Sequence, residues 1–109
     1  NGEMPVITDS RAQLIKGWFA DTVPVFLTDY HPANRKLVLM DADLYSSTIT
    51  VLKAIAPYLQ AGDFIMFDEF FAPQHEFKAW IEFLHTNCQI KYRAIAAFGN
   101  YQYVGFEIL

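Results

Sequence analysis

A chain of 109 residues that is 53% hydrophobic, 17% aromatic and only 18% charged supports one domain and is too apolar for a disordered tail or linker. Its net charge of −4, with eight Lys and Arg scattered along the chain, excludes the basic stripe of a nucleic-acid phosphate binder. No apolar run is long enough to span a membrane, and the start lacks the charged and apolar regions of a signal peptide.

Residues 1–10 read as a polar loop with Gly2 and Pro5. The chain opens on Asn1-Gly2-Glu3-Met4-Pro5 without an initiator Met, which fits a fragment of something longer. Gln13-Leu14-Ile15-Lys16 is a short strand candidate stopped by Gly17. From Trp18 to Leu27 apolar residues recur at mixed helical spacing, with Asp21 or Thr22 as the cap and Pro24 in the first turn. His31-Pro32-Ala33-Asn34 is a turn.

Lys36 to Met40 is an apolar strand ending at Asp41. Ser46-Ser47-Thr48 then offers helix caps, and Leu52, Ile55, Ala56 and Leu59 fall on one helical face. Pro57 shortens or bends that helix, and Gly62 closes the turn. Phe64 to Phe67 is a second apolar strand, ending at Asp68-Glu69. After Pro73 a further helix places Phe77, Trp80, Ile81 and Leu84 on a core face. Ile90 to Ala97 alternates as a strand, Gly99-Asn100 turns it, and Tyr101 to Leu109 closes a hairpin in which Tyr101, Tyr103 and Phe106 pack on the sheet. The single Cys88 excludes an internal disulfide, fits a reducing cytosolic setting and reads as a small buried hydrophobe.

The order of elements predicts an α/β fold with parallel strands and a terminal antiparallel hairpin. Unbroken apolar strands are typical of parallel sheets covered on both faces. A chain this short cannot cover two faces by itself, so the expectation is that part of the domain is missing or that a partner chain supplies the cover.

Two apolar strands joined by a helix of crossover length bring their carboxyl ends to one edge of the sheet, where ligands of open α/β sheets bind. Asp41 and Asp68-Glu69 should face one another there. Neighbouring carboxylates repel unless a cation sits between them, and Mg²⁺ suits such oxygen ligands. Asp43 points the same way as Asp41 if the extended conformation continues. Singly, each acid is explained as a helix cap or a solvated loop residue. Acids ending two consecutive strands point to a site. His75, at a helix start near this edge, reads as a base, a substrate contact or a plain surface residue. Tyr45 either hydrogen-bonds near the site or packs under the helix cap.

Val38-Leu39-Met40-Asp41-Ala42-Asp43 resembles the DxD element of nucleotide-sugar glycosyltransferases, and Phe64 to Glu69 resembles the strand-ending acids of P-loop ATPases, although no GxxxxGK[ST] loop accompanies them. Taken together, Gly17 to Pro24, Asp41-Ala42-Asp43-Leu44-Tyr45-Ser46-Ser47-Thr48, Phe67 to Phe71 and His75 to Ala79 resemble the macrocin O-methyltransferase-like (TylF) class I methyltransferases. Asp43-Leu44-Tyr45-Ser46-Ser47-Thr48 is the most specific piece, since neither rival requires it.

The resemblance implies a Rossmann-like sheet of which residues 1–109 form the C-terminal part, with the cofactor-binding half absent and no glycine-rich loop within the chain. It implies S-adenosylmethionine as cofactor, Asp41, Asp68 and Glu69 as ligands of Mg²⁺ or a similar divalent cation, and Asp41 or Asp43 as proton acceptor. Gly17, Trp18, Phe19 and Asp41 then lie on the cofactor side, where Trp18 either stacks on the adenine or serves as a core aromatic. The activity implied is O-methylation of a sugar or other small molecule by a cytoplasmic enzyme, with this fragment inactive alone. The alternatives are a DxD glycosyltransferase fragment and a truncated, non-catalytic association domain, and a homo-oligomer is compatible with either enzyme.

Overall fold

The computed structural model describes residues 3–109. Asn1 and Gly2, on which the loop and fragment readings of the chain's opening partly rest, lie outside the described residues. In chain order the elements are α1 (Phe19–Asp29), β1 (Leu37–Met40), α2 (Tyr45–Ile55), a 3-10 turn (Ala56–Tyr58), β2 (Phe64–Phe67), α3 (Glu76–Thr86), β3 (Tyr92–Phe98) and β4 (Tyr103–Ile108).

β1 and β2 pair in parallel, with Leu37 opposite Phe64 and Met40 opposite Phe67. The sheet order is β1-β2-β4-β3, so α3 carries the chain one place beyond β2 and β4 returns to fill the gap, antiparallel to both neighbours. The α/β reading holds, with β1 and β2 as the parallel pair.

Alternation along the strands shows how the layers are arranged. Met40, Ile65 and Phe67 are buried against the helices, where Leu52, Trp80 and Phe83 complete the core. The intervening Leu37 and Leu39 are 63% and 65% exposed. Three helices therefore cover one face of the sheet, α2 packing between α1 and α3. Among the described residues the other face of β1 is bare and apolar, and β1 is an edge strand paired only with β2. This is the uncovered face that the apolar strands predict.

Asp63 ties the opposite end of the sheet together. Its Oδ1 accepts the Lys36 N–H at 2.9 Å, and its Oδ2 accepts the Gln60 N–H at 2.8 Å and lies 2.7 Å from Lys36 Nζ. Burial pushes this carboxyl up, but the Lys36 ammonium and the Lys36 and Gln60 amides outweigh burial and hold it below the ordinary aspartate value.

Several local expectations are corrected. No strand forms at residues 13–16; a four-residue strand without a ladder partner has nothing to hold it, and Gln13 and Ile15 instead line a cleft against α1. α1 starts two residues before Asp21, because Trp18 O accepts the N–H groups of Asp21 and Thr22; Pro24 then falls inside the helix. Ser46-Ser47-Thr48 do not cap α2, which already begins at Tyr45; the Thr48 hydroxyl donates back to Leu44 O.

On α3 the buried face is Glu76, Ala79, Trp80 and Phe83, and Phe77 is 42% exposed rather than in the core. Tyr101 belongs to the hairpin turn, where Gly99, Asn100 and Tyr101 all have positive φ, and is exposed. Cys88 is exposed just past the end of α3. No helix among the described residues is long and apolar enough to cross a membrane.

Candidate active site

Both acid-bearing strands end level. Met40 is opposite Phe67, and the ladder runs one residue further, since the Asp68 N–H donates to Met40 O at 3.1 Å. Adjacent strands lie about 4.8 Å apart, so Asp41 and Asp68 leave the sheet as neighbours. Met40 and Phe67 both turn into the helix layer, and the two acids follow them directly in the chain. Asp41 is exposed, and Asp68 and Glu69 are half-buried.

Asp43 departs from the extended path. Its φ is 62°, and the Leu44 N–H closes back on Ala42 O at 2.6 Å, a tight turn centred on Asp43. The extended continuation that would set Asp43 on the same side as Asp41 ends there. A non-glycine residue in the left-handed region is uncommon, although Asp tolerates it better than most.

The residue that sequence reasoning missed is Glu76. It is fully buried, its Oε1 accepts the Glu69 N–H at 2.8 Å, and its Oε2 has no partner among the described residues. Burial pushes its carboxyl above the ordinary glutamate value; the Glu69 N–H works against this, and the charges of Glu69, Asp68 and Asp43 add to it. These influences place Glu76 in the same electrostatic neighbourhood as three of the four strand-end acids. Glu76 falls within the His75–Ala79 stretch that carries the family resemblance, but periodicity does not distinguish its carboxylate from a solvated first-turn glutamate.

His75 also has a definite partner. Its Nδ1 accepts the Tyr45 N–H at 3.1 Å, so α2 is capped from outside by an imidazole of α3's N-terminal flank. The Tyr45 hydroxyl donates to Glu82, which raises its pKa, and Lys78 Nζ stands 4.5 Å from the centre of its ring. Tyr45 therefore belongs to the α2–α3 seam.

Among the described residues no three His, Cys, Asp or Glu side chains are gathered into a metal-binding group. Mg²⁺ keeps several waters and is held through as few as one or two carboxylates, and the Asp41–Asp68 pair suits that smaller demand. Glu69 has its backbone, not its carboxylate, fixed by a partner.

Gly17, Trp18 and Phe19 sit at the start of α1, whose other end, at Leu27 and Tyr30, lies beside Pro57 and Tyr58 beyond α2. That arrangement puts the start of α1 toward the acid edge. No hydrogen bond, ion pair or ring contact joins these three residues to Asp41. Trp18 is 82% exposed, so it is not a core aromatic here. Gly17 has a local reason to be glycine: its φ is 145°, and a Cβ would stand 2.6 Å from Thr22 Cγ2. Starting from Phe70, the residue after Glu69, an open apolar cleft of about 430 Å³ is lined in part by Phe70, Phe71, Phe77, Ala97, Tyr101 and Phe106.

The family model for macrocin O-methyltransferase (TylF) matches residues 6–99. The chain belongs to this family. Over 71 residues it is 34% identical to 8-demethyl-8-(2,3-dimethoxy-alpha-L-rhamnosyl)-tetracenomycin-C 4'-O-methyltransferase of Streptomyces olivaceus, covering 64% of this chain and 25% of that protein. Over 68 residues it is 35% identical to mycinamicin III 3''-O-methyltransferase of Micromonospora griseorubida, covering 62% of this chain and 25% of that one.

The fold matches a TDP-rhamnose 3'-O-methyltransferase of calicheamicin biosynthesis with TM-score 0.68 and 28% identity over 85% of this chain and 39% of that one. It matches the O-methyltransferase NovP with TM-score 0.68 and 22% identity over 92% of this chain and 38% of that one, a likeness of fold. The chain thus spans about a quarter of the length of these curated relatives and about two fifths of the solved chains. Membership of the TylF family separates the acid-bearing strands from the glycosyltransferase and ATPase patterns that resemble them locally.

Proposed function

We propose that the chain is the acid-bearing C-terminal part of an S-adenosylmethionine-dependent O-methyltransferase domain, cytoplasmic, acting on a hydroxyl of a sugar or another small molecule. The observation that carries this reading is the level ending of β1 and β2 in Asp41 and Asp68. The relatives support it, since those named above are O-methyltransferases and two of the names print a rhamnose or rhamnosyl group.

In this reading Asp41 and Asp68, with Glu69 adjacent, hold a divalent cation, which when bound lowers the pKa of an acceptor hydroxyl. Asp41 or Asp43 takes the hydroxyl proton, the exposed Asp41 being the less constrained of the two. S-adenosylmethionine supplies the methyl group. Gly17, Trp18 and Phe19 contribute to its side of the site, the exposed indole of Trp18 offering a stacking surface. The apolar cleft that begins at Phe70, next to Glu69 in the chain, gives the acceptor a wall for its less polar portion. No role for nucleic acid or membrane enters this reading.

The bare face of β1, with Leu37 and Leu39 exposed, and its free edge are where the remaining part of the domain packs. The fragment alone therefore lacks half of the site and is inactive. A second reading is favoured by that same face: residues 1–109 by themselves associate with another copy through it.

One incubation separates these readings. Full-length protein is given S-adenosylmethionine together with a nucleotide sugar and with sugar, glycoside and phenolic acceptors, and products are read by mass. A methylated hydroxyl product supports the proposal; formation of a glycoside from a nucleotide sugar, with no methyl transfer to any acceptor, overturns it. A stable oligomer of residues 1–109 would support the association reading for the fragment.

A further inference from the structure

We propose that His75 and Glu76, consecutive residues at the start of α3, are positioning residues that hold the two acid-bearing loops in one fixed relation. What the loops do rests on the functional reading above; how they are held does not.

Each residue takes one backbone N–H from a different loop. The Tyr45 N–H, at the end of the loop that carries Asp41 and Asp43, donates to His75 Nδ1 at 3.1 Å. The Glu69 N–H, in the loop that carries Asp68, donates to Glu76 Oε1 at 2.8 Å. Consecutive Cα atoms are about 3.8 Å apart and cannot separate, so a movement of one loop is passed to the other through a single rigid link. Upstream, the two loops are already joined by the Asp68 N–H to Met40 O bond at 3.1 Å. The acids are thus fixed at the strand ends and again where the loops enter the helix layer.

Stability alone does not account for this arrangement. α3 otherwise buries Ala79, Trp80 and Phe83 on this face, and burying a carboxyl among them carries a desolvation cost that an apolar residue avoids. What the carboxyl adds is its hold on the Glu69 amide. α2 has no side-chain cap of its own, and the imidazole supplies one from α3. The Tyr45 hydroxyl on Glu82 and the Lys78 ammonium over its ring fasten the same end of α2 to α3 again.

The test uses the full-length protein with four variants: Glu76→Ala, Glu76→Gln, His75→Ala and His75→Asn. Amide exchange at Tyr45 and Glu69 is measured alongside steady-state methyl transfer. Glu76→Ala should speed exchange at Glu69 and lower kcat about 10- to 100-fold, while KM for S-adenosylmethionine stays within about threefold. His75→Ala should do the same through Tyr45. Glu76→Gln keeps an acceptor oxygen, and the Asn Oδ1 of His75→Asn stands in for Nδ1, so both should remain within about threefold of the parent.

Alanine variants that lose amide protection yet keep the parent kcat overturn the proposal. So does a Glu76→Gln variant as impaired as Glu76→Ala. If the alanine variants fail to fold, the Gln and Asn variants decide: parent-like turnover supports the proposal, and a tenfold loss in either overturns it. Full activity of Asp68→Ala would instead sink the functional reading, and the two amides would still report on the hold.

Discussion

Removing the Asp63 carboxylate should be among the most damaging single changes remote from the acid edge. The side chain is 1% exposed and serves three partners: the Lys36 amide at 2.9 Å, the Gln60 amide at 2.8 Å and Lys36 Nζ at 2.7 Å. Asp63→Ala leaves two amides without their acceptor, at about 1–3 kcal/mol each if they stay dry. It also leaves a Lys36 side chain that is only 10% exposed without its counter-ion, and breaking a buried pair costs about 3–5 kcal/mol. These losses overlap, because one carboxylate serves all three partners and the flexible lysine stem can carry its charge into water. We therefore expect about 3–5 kcal/mol for Asp63→Ala, and about 2–3 kcal/mol for Asp63→Asn, which retains one acceptor.

The assay is urea unfolding of the full-length protein. At a slope of about 2 kcal/mol per molar, Asp63→Ala should lower the midpoint by about 2 M. The pH dependence gives a second check. The Asp63 carboxyl is held below its ordinary value in the folded state, so the stability it adds is present above the unfolded aspartate pKa of about 3.9. That stability is lost as pH falls through the depressed folded value. The gap between parent and Asp63→Asn should accordingly be full at pH 7 and narrow below about pH 4. A midpoint shift under about 0.5 M, or a gap that widens in acid, would refute the reasoning.

Three further outcomes are expected. Asp43→Gly relieves a φ of 62° and should leave the melting temperature unchanged or raised by a few degrees while lowering methyl transfer; a clear fall in melting temperature would show that the Asp side chain holds the turn. Trp80→Ala removes a 1% exposed ring that packs on Phe67, Phe83, Tyr92 and Phe106, and should cost about 3–5 kcal/mol in denaturant unfolding. Gly17→Ala meets both a φ of 145° and a 2.6 Å approach to Thr22 Cγ2, so it should loosen the start of α1, read as faster amide exchange at Asp21 and Thr22.

Where one physical effect dominated, the fold was legible in the sequence. Leu37–Met40 and Phe64–Phe67 are apolar throughout, and they form the parallel pair with the acids at one edge. The bare face was legible too, because 109 residues cannot supply helices for both sides. Helix starts were harder to read. Asp21 and Ser46 look like caps by residue type, but Trp18 O and His75 Nδ1 fix where those helices begin, and the second is a contact across 30 positions that no local pattern reveals. Residues 13–16 have strand composition but no ladder partner among the described residues.

The candidate site divides in the same way. Asp41 and Asp68 follow from topology, since a parallel pair in register delivers the next residue of each strand to the same edge. Asp43 was expected on an extended path; the turn at Ala42–Leu44 replaces that path, and the Asp43 charge still acts on Glu76. Glu76 was invisible because periodicity assigns charged residues to the solvent face. Its burial is recognisable only once the Glu69 amide is seen to need an acceptor there.

The most direct test is methyl transfer from S-adenosylmethionine by the full-length protein carrying Asp41→Ala or Asp68→Ala, with circular dichroism and melting temperature checked alongside. Both residues lie at the sheet edge rather than in the core, so the variants should fold. Turnover should fall by at least about 100-fold in each. Parent-like turnover in either folded variant would contradict the claim that the level ends of β1 and β2 form the catalytic edge.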